Sequence, residues 1–185
     1  MQVQSKRVRG TVLAVLTLAV GALGAGADAP PRKVDAGGLS FEVPASWKSA
    51  TPKSSMRRAQ LEIGPVEGDK EAAELVVFAF PGGAGGVEEN VKRWESGFKD
   101  APKAETKKVK GKNVEATRVE ISGHYIAAVA PGSPQTNDKP NYRLLGAIVL
   151  SNDTGYFFKL VGPDKTVREA SKGFDALLSS LTAGK

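Results

Sequence analysis

The sequence contains no cysteine. Disulfides, thiolate metal sites, a cysteine nucleophile and a lipid anchor through cysteine are therefore excluded. Histidine is almost missing as well, His124 being the single one in 185 residues. Acid–base or metal chemistry usually needs a second group positioned beside such a residue, and no calcium-loop or zinc spacing occurs. Aromatic residues amount to 6%, and most fit the core, so no stacking platform for bases or sugars is expected. Beyond the N-terminus no run is long and apolar enough to span a bilayer. A strong charge bias is missing too. The formal net charge of +6 drops to about +3 once Lys6, Arg7 and Arg9 are set aside, an ordinary value for a soluble domain. Nucleic-acid binding usually needs a clustered basic face, and none is expected.

The N-terminus has the pattern of a secretory signal over residues 1–27. Lys6, Arg7 and Arg9 precede an apolar run from Thr11 to Leu23, and Ala25-Gly26-Ala27 offers the small residues at which such segments are cut. A cut after Ala29 is the alternative site, and an uncleaved membrane anchor the alternative reading. The chain is thus expected to be exported, periplasmic or secreted. Residues 28–37 read as a flexible lead-in and residues 38–183 as one domain, large enough for a sizeable core.

Within that domain the C-terminal stretch organises the rest. Tyr142–Ser151 and Gly155–Val161 are expected to be adjoining strands. Asn152 to Gly155 form the turn between them, with Gly155 free to take positive φ. Both strands are almost continuously apolar, which indicates a sheet covered on two faces. A helix from Asp164 to Leu181 carries Val167, Ala170, Phe174, Leu177, Leu178 and Leu181 at helical spacing. Further strands are expected at 39–43, 56–63, 72–80, 103–112 and 114–128, and a helix at 87–99 with the stripe Val87, Val91, Trp94, Phe98. In the 114–128 strand the phase of Thr117, Val119 and Ile121 is expected to be buried, with a bulge at Gly123. Residues 131–141 read as an unpatterned, mobile loop. The order β-β-β-α-β-β-β-β-α predicts an α+β fold: an α/β/α sandwich around a mainly antiparallel sheet of six to seven strands.

At this level the chain resembles the PsbP/Mog1-like superfamily, particularly its small exported bacterial members. The resemblance rests on Phe41-Glu42-Val43-Pro44 with Trp47, on the Met56-Arg57 strand and on Asn90 to Trp94. It rests above all on Gly155-Tyr156-Phe157-Phe158-Lys159-Leu160-Val161-Gly162-Pro163, followed by Val167, Phe174 and Leu178. It covers about Gly38 to Leu181 and implies the same sandwich. It also implies a mostly non-catalytic role, as in photosystem assembly or stabilisation, or small-GTPase binding by the nuclear-transport member. No functional residue carries over from it.

The local candidates for chemistry are few. The Gly82–Gly86 run before a helix offers backbone N–H groups to an anion, but it lacks the Lys-Ser or Lys-Thr of a P-loop, and Glu88 and Glu89 oppose phosphate. Ser122 and His124 share a strand face, a pair without a third member. Glu42, Glu62, Glu74 and Glu120 fit wet positions. Strand alternation aligns Lys108, Lys110 and Lys112 on a basic edge suited to an anionic envelope surface. The reading is a non-catalytic exported domain that binds another protein through a sheet edge or the 131–141 loop, with no cofactor and no metal. The rival readings are an anionic-surface module using Lys108, Lys110 and Lys112, and a small hydrolase using Ser122 and His124.

Overall fold

A computed structural model describes residues 29–129 and 132–184. The signal expected over residues 1–27 lies outside the described residues. None of the described helices is long and apolar enough to cross a membrane.

The N-terminal part supplies β1 (Arg32–Asp35), β2 (Leu39–Val43), β3 (Lys48–Ser49), β4 (Arg57–Ile63) and β5 (Ala73–Pro81), followed by α1 (Val87–Glu95). Then come β6 (Glu105–Lys110), β7 (Glu115–Tyr125), β8 (Lys139–Ser151), β9 (Thr154–Pro163), α2 (Asp164–Ser180) and β10 (Thr182–Ala183). The main sheet has seven strands in the order β3-β4-β5-β9-β8-β7-β6, with every neighbouring pair antiparallel. The fold is α+β, with α1 and α2 on opposite faces of that sheet, as their separate core clusters show.

The apolar strands β5, β9 and β8 lie side by side in the middle, and their alternate side chains feed two cores. Leu75, Val77, Phe158, Leu160, Leu145 and Ala147 meet Phe174 and Leu177 of α2. Leu144, Ile148 and Phe157 meet Trp94 of α1. Continuous apolar sequence thus reflects two covered faces.

Five local features differ from expectation. Residues 32–35 were expected in a flexible lead-in, but they form β1, which pairs with β2 from Arg32↔Val43 to Asp35↔Ser40. With β10 they make a second, three-stranded sheet in the order β1-β2-β10. Such short, half-exposed strands have no apolar run of their own, so only their partners reveal them. In the β8–β9 hairpin Asn152 and Asp153 take the positive φ values, 48° and 53°, the pattern of a two-residue turn. Gly155 has a different reason to be glycine, since a Cβ there would meet the Phe157 ring at 2.9 Å.

Helix α1 stops at Glu95, short of the expected Lys99. Past it, Phe98 bridges to Tyr125, and Lys99 donates its backbone N–H to the His124 carbonyl at 2.8 Å. Tertiary pairing with the end of β7 therefore wins over helical propensity. In the 131–141 segment, Lys139–Asn141 belong to β8. The Asn137 side chain and backbone both donate to the Ala127 carbonyl, at 2.7 and 2.9 Å.

Both phases of β7 are buried, against the expectation for one. Glu120 was read as wet, yet it and Arg118, on the phase not expected to be buried, lie beneath α2. Arg118 donates to Asp175 at 2.8 Å, Glu120 at 2.7 Å and Ser171 at 3.1 Å. Arg143 of β8 bonds Glu120 and also Asp164 at 2.8 Å. The expected bulge is present, with the β7–β8 register shifting between Gly123 and Tyr125.

Candidate functional site

Helix α1 has nine residues, too few to cover its whole face of the sheet. It is seated by Trp94, whose ring packs where β8 offers Gly146. A Cβ at that glycine would run into the Trp94 ring, so the side-chain-free position is what lets the indole reach the strand. The uncovered part of the face lies between α1 and the β4–β5 side of the sheet.

Two adjoining hollows open there, with volumes of about 330 Å³ and about 530 Å³. They share Phe78, Arg93, Trp94 and Lys159. Phe80 and Phe157 extend the floor at one end, and Tyr125 and Val129 close the other. Phe78 and Phe80 stack with ring centroids 6.2 Å apart, and Phe80 meets Phe157 edge-on at 5.8 Å. Val129 is 52% exposed at the rim. A larger hollow of about 690 Å³ lies between the Gly82–Gly85 turn and the β8–β9 hairpin tip. It is lined mainly by turn backbone and carries no cationic or aromatic side chain.

The polar side of the groove is organised. Gln60 is buried and joins two charged neighbours. It accepts from Arg57 at 3.0 Å and donates to Glu74 at 2.6 Å. Arg57 also sits 3.6 Å from Glu74 and 5.9 Å from the Phe78 ring centroid. On the helix side Arg93 donates to Asn90 at 2.7 Å. Asn90 is itself buried, donating to the carbonyls of Ala84 at 3.0 Å and Gly86 at 2.9 Å.

Lys159 occupies the floor. On β9 it lies between Val76 of β5 and Gly146 of β8. Its Nζ sits 5.9 Å from the Trp94 ring centroid, within cation–π range. Burial pushes its ammonium down to about 8, and the Arg57 charge adds to the effect. Tyr125 nearby is held above its usual value by burial and by the Glu74 charge.

The residues named from the sequence lie elsewhere. Ser122 is exposed on β7, on the α2 side of the bulge, and makes no hydrogen bond to His124 among the described residues. His124 Nε2 meets Asp138 Oδ1 at 2.5 Å, a partner from the segment that had no pattern of its own. Lys108 and Lys110 are exposed on β6, whereas Lys112 lies beyond its end and bonds the Leu181 carbonyl through its backbone N–H at 2.8 Å. Lys108 pairs with Glu115 at 3.0 Å and Lys112 with Glu42 at 3.3 Å. In the glycine run, Glu89 accepts from the Gly86 N–H at 3.1 Å, so the helix end is capped by its own carboxylate. The described residues contain no group of three metal-ligating side chains.

Reading the sequence for chemistry missed the groove. Its one signal was Lys159 inside the apolar run of β9, a charged residue on a strand otherwise destined for the core.

The architecture has a counterpart among solved structures. The solution structure of cyanobacterial PsbP (CyanoP) from Synechocystis sp. PCC 6803 superimposes with a TM-score of 0.53 at 16% identity, over 89% of this chain and 98% of that one. The fold is PsbP-like. At this identity the PsbP-like fold is what the two chains share. A crystal structure from Bacteroides thetaiotaomicron VPI-5482 aligns over 80% of this chain at 15% identity with a TM-score of 0.48, and this chain spans 46% of its length. No family model matches the chain, and no curated protein matches it.

Proposed function

We propose that the protein is an exported, non-catalytic accessory domain that holds a partner protein in the groove beside α1. The observation that carries this reading is the uncovered aromatic floor of Phe78 and Phe80, bordered by Trp94 and the exposed Val129. Apolar surface of this kind with a polar rim suits association better than solvation. The PsbP-like fold supports an accessory role, because the resemblance read from the sequence implies mostly non-catalytic members. The anionic-surface reading is weaker, since Lys108 and Lys112 face carboxylates of this same chain.

The test is site-specific crosslinking in the native envelope. A photoactivatable residue at Val129 should capture a discrete protein. The same residue at Ala176, exposed on the opposite face in α2, should not. Equal capture from both positions, or none from Val129, would overturn the reading.

A further inference from the structure

The groove has a charge preference as well as a shape, and the inference drawn from it rests on the docking reading above. Arg57 of β4, Arg93 of α1 and Lys159 of β9 line it from three separate elements. Glu74 is the one carboxylate among the described lining residues. It is already engaged by Gln60 at 2.6 Å and by Arg57 and Lys53 at 3.6 Å each. Lys159 and Arg93 have no carboxylate within 4.0 Å among the described residues. An ammonium on an apolar floor is costly to desolvate unless an anion meets it. Here the neighbouring charge is Arg57, which repels it.

We propose that the groove recognises a partner segment in which a carboxylate stands next to an aromatic or large aliphatic side chain. The carboxylate meets Lys159 and Arg93, and the apolar group lies on Phe78, Phe80 and Trp94. Arg93 is suited to this role because Asn90 fixes its guanidinium at 2.7 Å, leaving other N–H groups free to aim. Asn90 is in turn fixed by the carbonyls of Ala84 and Gly86, so the glycine run acts as the support of the groove rather than as a site itself. A charge-assisted bond formed away from bulk water is stronger than a neutral one, which makes the acidic residue the source of specificity.

The experiment titrates two capped dipeptides, acetyl-Asp-Phe-amide and acetyl-Asn-Phe-amide, against the protein. Binding is followed through NMR shifts of the Trp94 indole and the Phe80 amide. The Asp peptide should bind about tenfold more tightly than its Asn counterpart, the gain expected of a bond to a charged group. Lys159→Met and Arg93→Gln should each remove the advantage of the Asp peptide over the Asn peptide. Equal binding of the two peptides at the groove would overturn the carboxylate preference while leaving the docking reading intact. Absence of shifts for both up to their solubility limit would overturn it too. Tight Asp-peptide binding with no crosslinked protein from Val129 would instead remove the partner-protein reading alone.

Discussion

Lys159 is a lysine on a central strand, and its neighbours set its chemistry. The unfolded chain keeps that proton to about 10.5, whereas the folded chain releases it near 8 because of burial first and Arg57 second. Between those values the unfolded state binds more protons, so stability rises with pH across this window and is lowest, for this group, below about 8. Lys159→Met should therefore stabilise the protein at pH 7 by on the order of 2 kcal/mol. The advantage should shrink above pH 8 and vanish above about 10.5. Urea unfolding of both proteins at pH 7 and pH 10 measures it, and an equal gain at both would refute the account. A lysine kept in place at such a cost fits a binding role. The sequence did show a charge in an apolar run. It did not show that Trp94 would lie over Gly146 at the same spot, because that contact joins residues 52 positions apart.

At the scale of elements, the clamp between α2 and β7–β8 carries a larger stake. Arg118 is 7% exposed and holds Asp175, Glu120 and Ser171 together. Burial alone would raise the Glu120 carboxyl, but the hydrogen bonds and charges of Arg118 and Arg143 outweigh it and hold the group below its usual value. That contribution is complete above the ordinary value of 4.5 and is lost as pH falls through the lowered one. Arg118→Ala should cost about 3 kcal/mol in urea unfolding at pH 7, because it removes the buried guanidinium that Glu120 and Asp175 share and leaves Glu120 with Arg143 alone. The cost should diminish at low pH, where protonation of Glu120 relieves it. A loss under about 1 kcal/mol at pH 7 would mean that the clamp is screened like a surface pair. Strand alternation in β7 concealed the clamp. Charged residues on alternate positions look solvated until a helix with matching charges is known to lie over them.

At the scale of the molecule, the two cores meet back to back through β5, β9 and β8, and the small sheet closes on the α2 side through Leu39, Phe41 and Val43. No boundary free of shared strands separates them. Heating should therefore give one transition whose calorimetric and van't Hoff enthalpies agree. A separate early transition for β1, β2 and β10 would contradict a single cooperative unit. The sequence by itself determined six of the seven strands of the main sheet, all but the two-residue β3, both helices to within a turn or so, the hairpin at Asn152–Asp153 and the two-faced burial. Periodicity and turn chemistry are local, and the chain carries them wherever it goes. Only tertiary structure decided that residues 32–35 join β2, that α1 ends at Glu95, that Arg118 is clamped beneath α2, and that a short helix leaves Phe78, Trp94 and Lys159 around an open groove. Each of those depends on surfaces brought together from distant segments, and pairwise proximity leaves no period in a sequence.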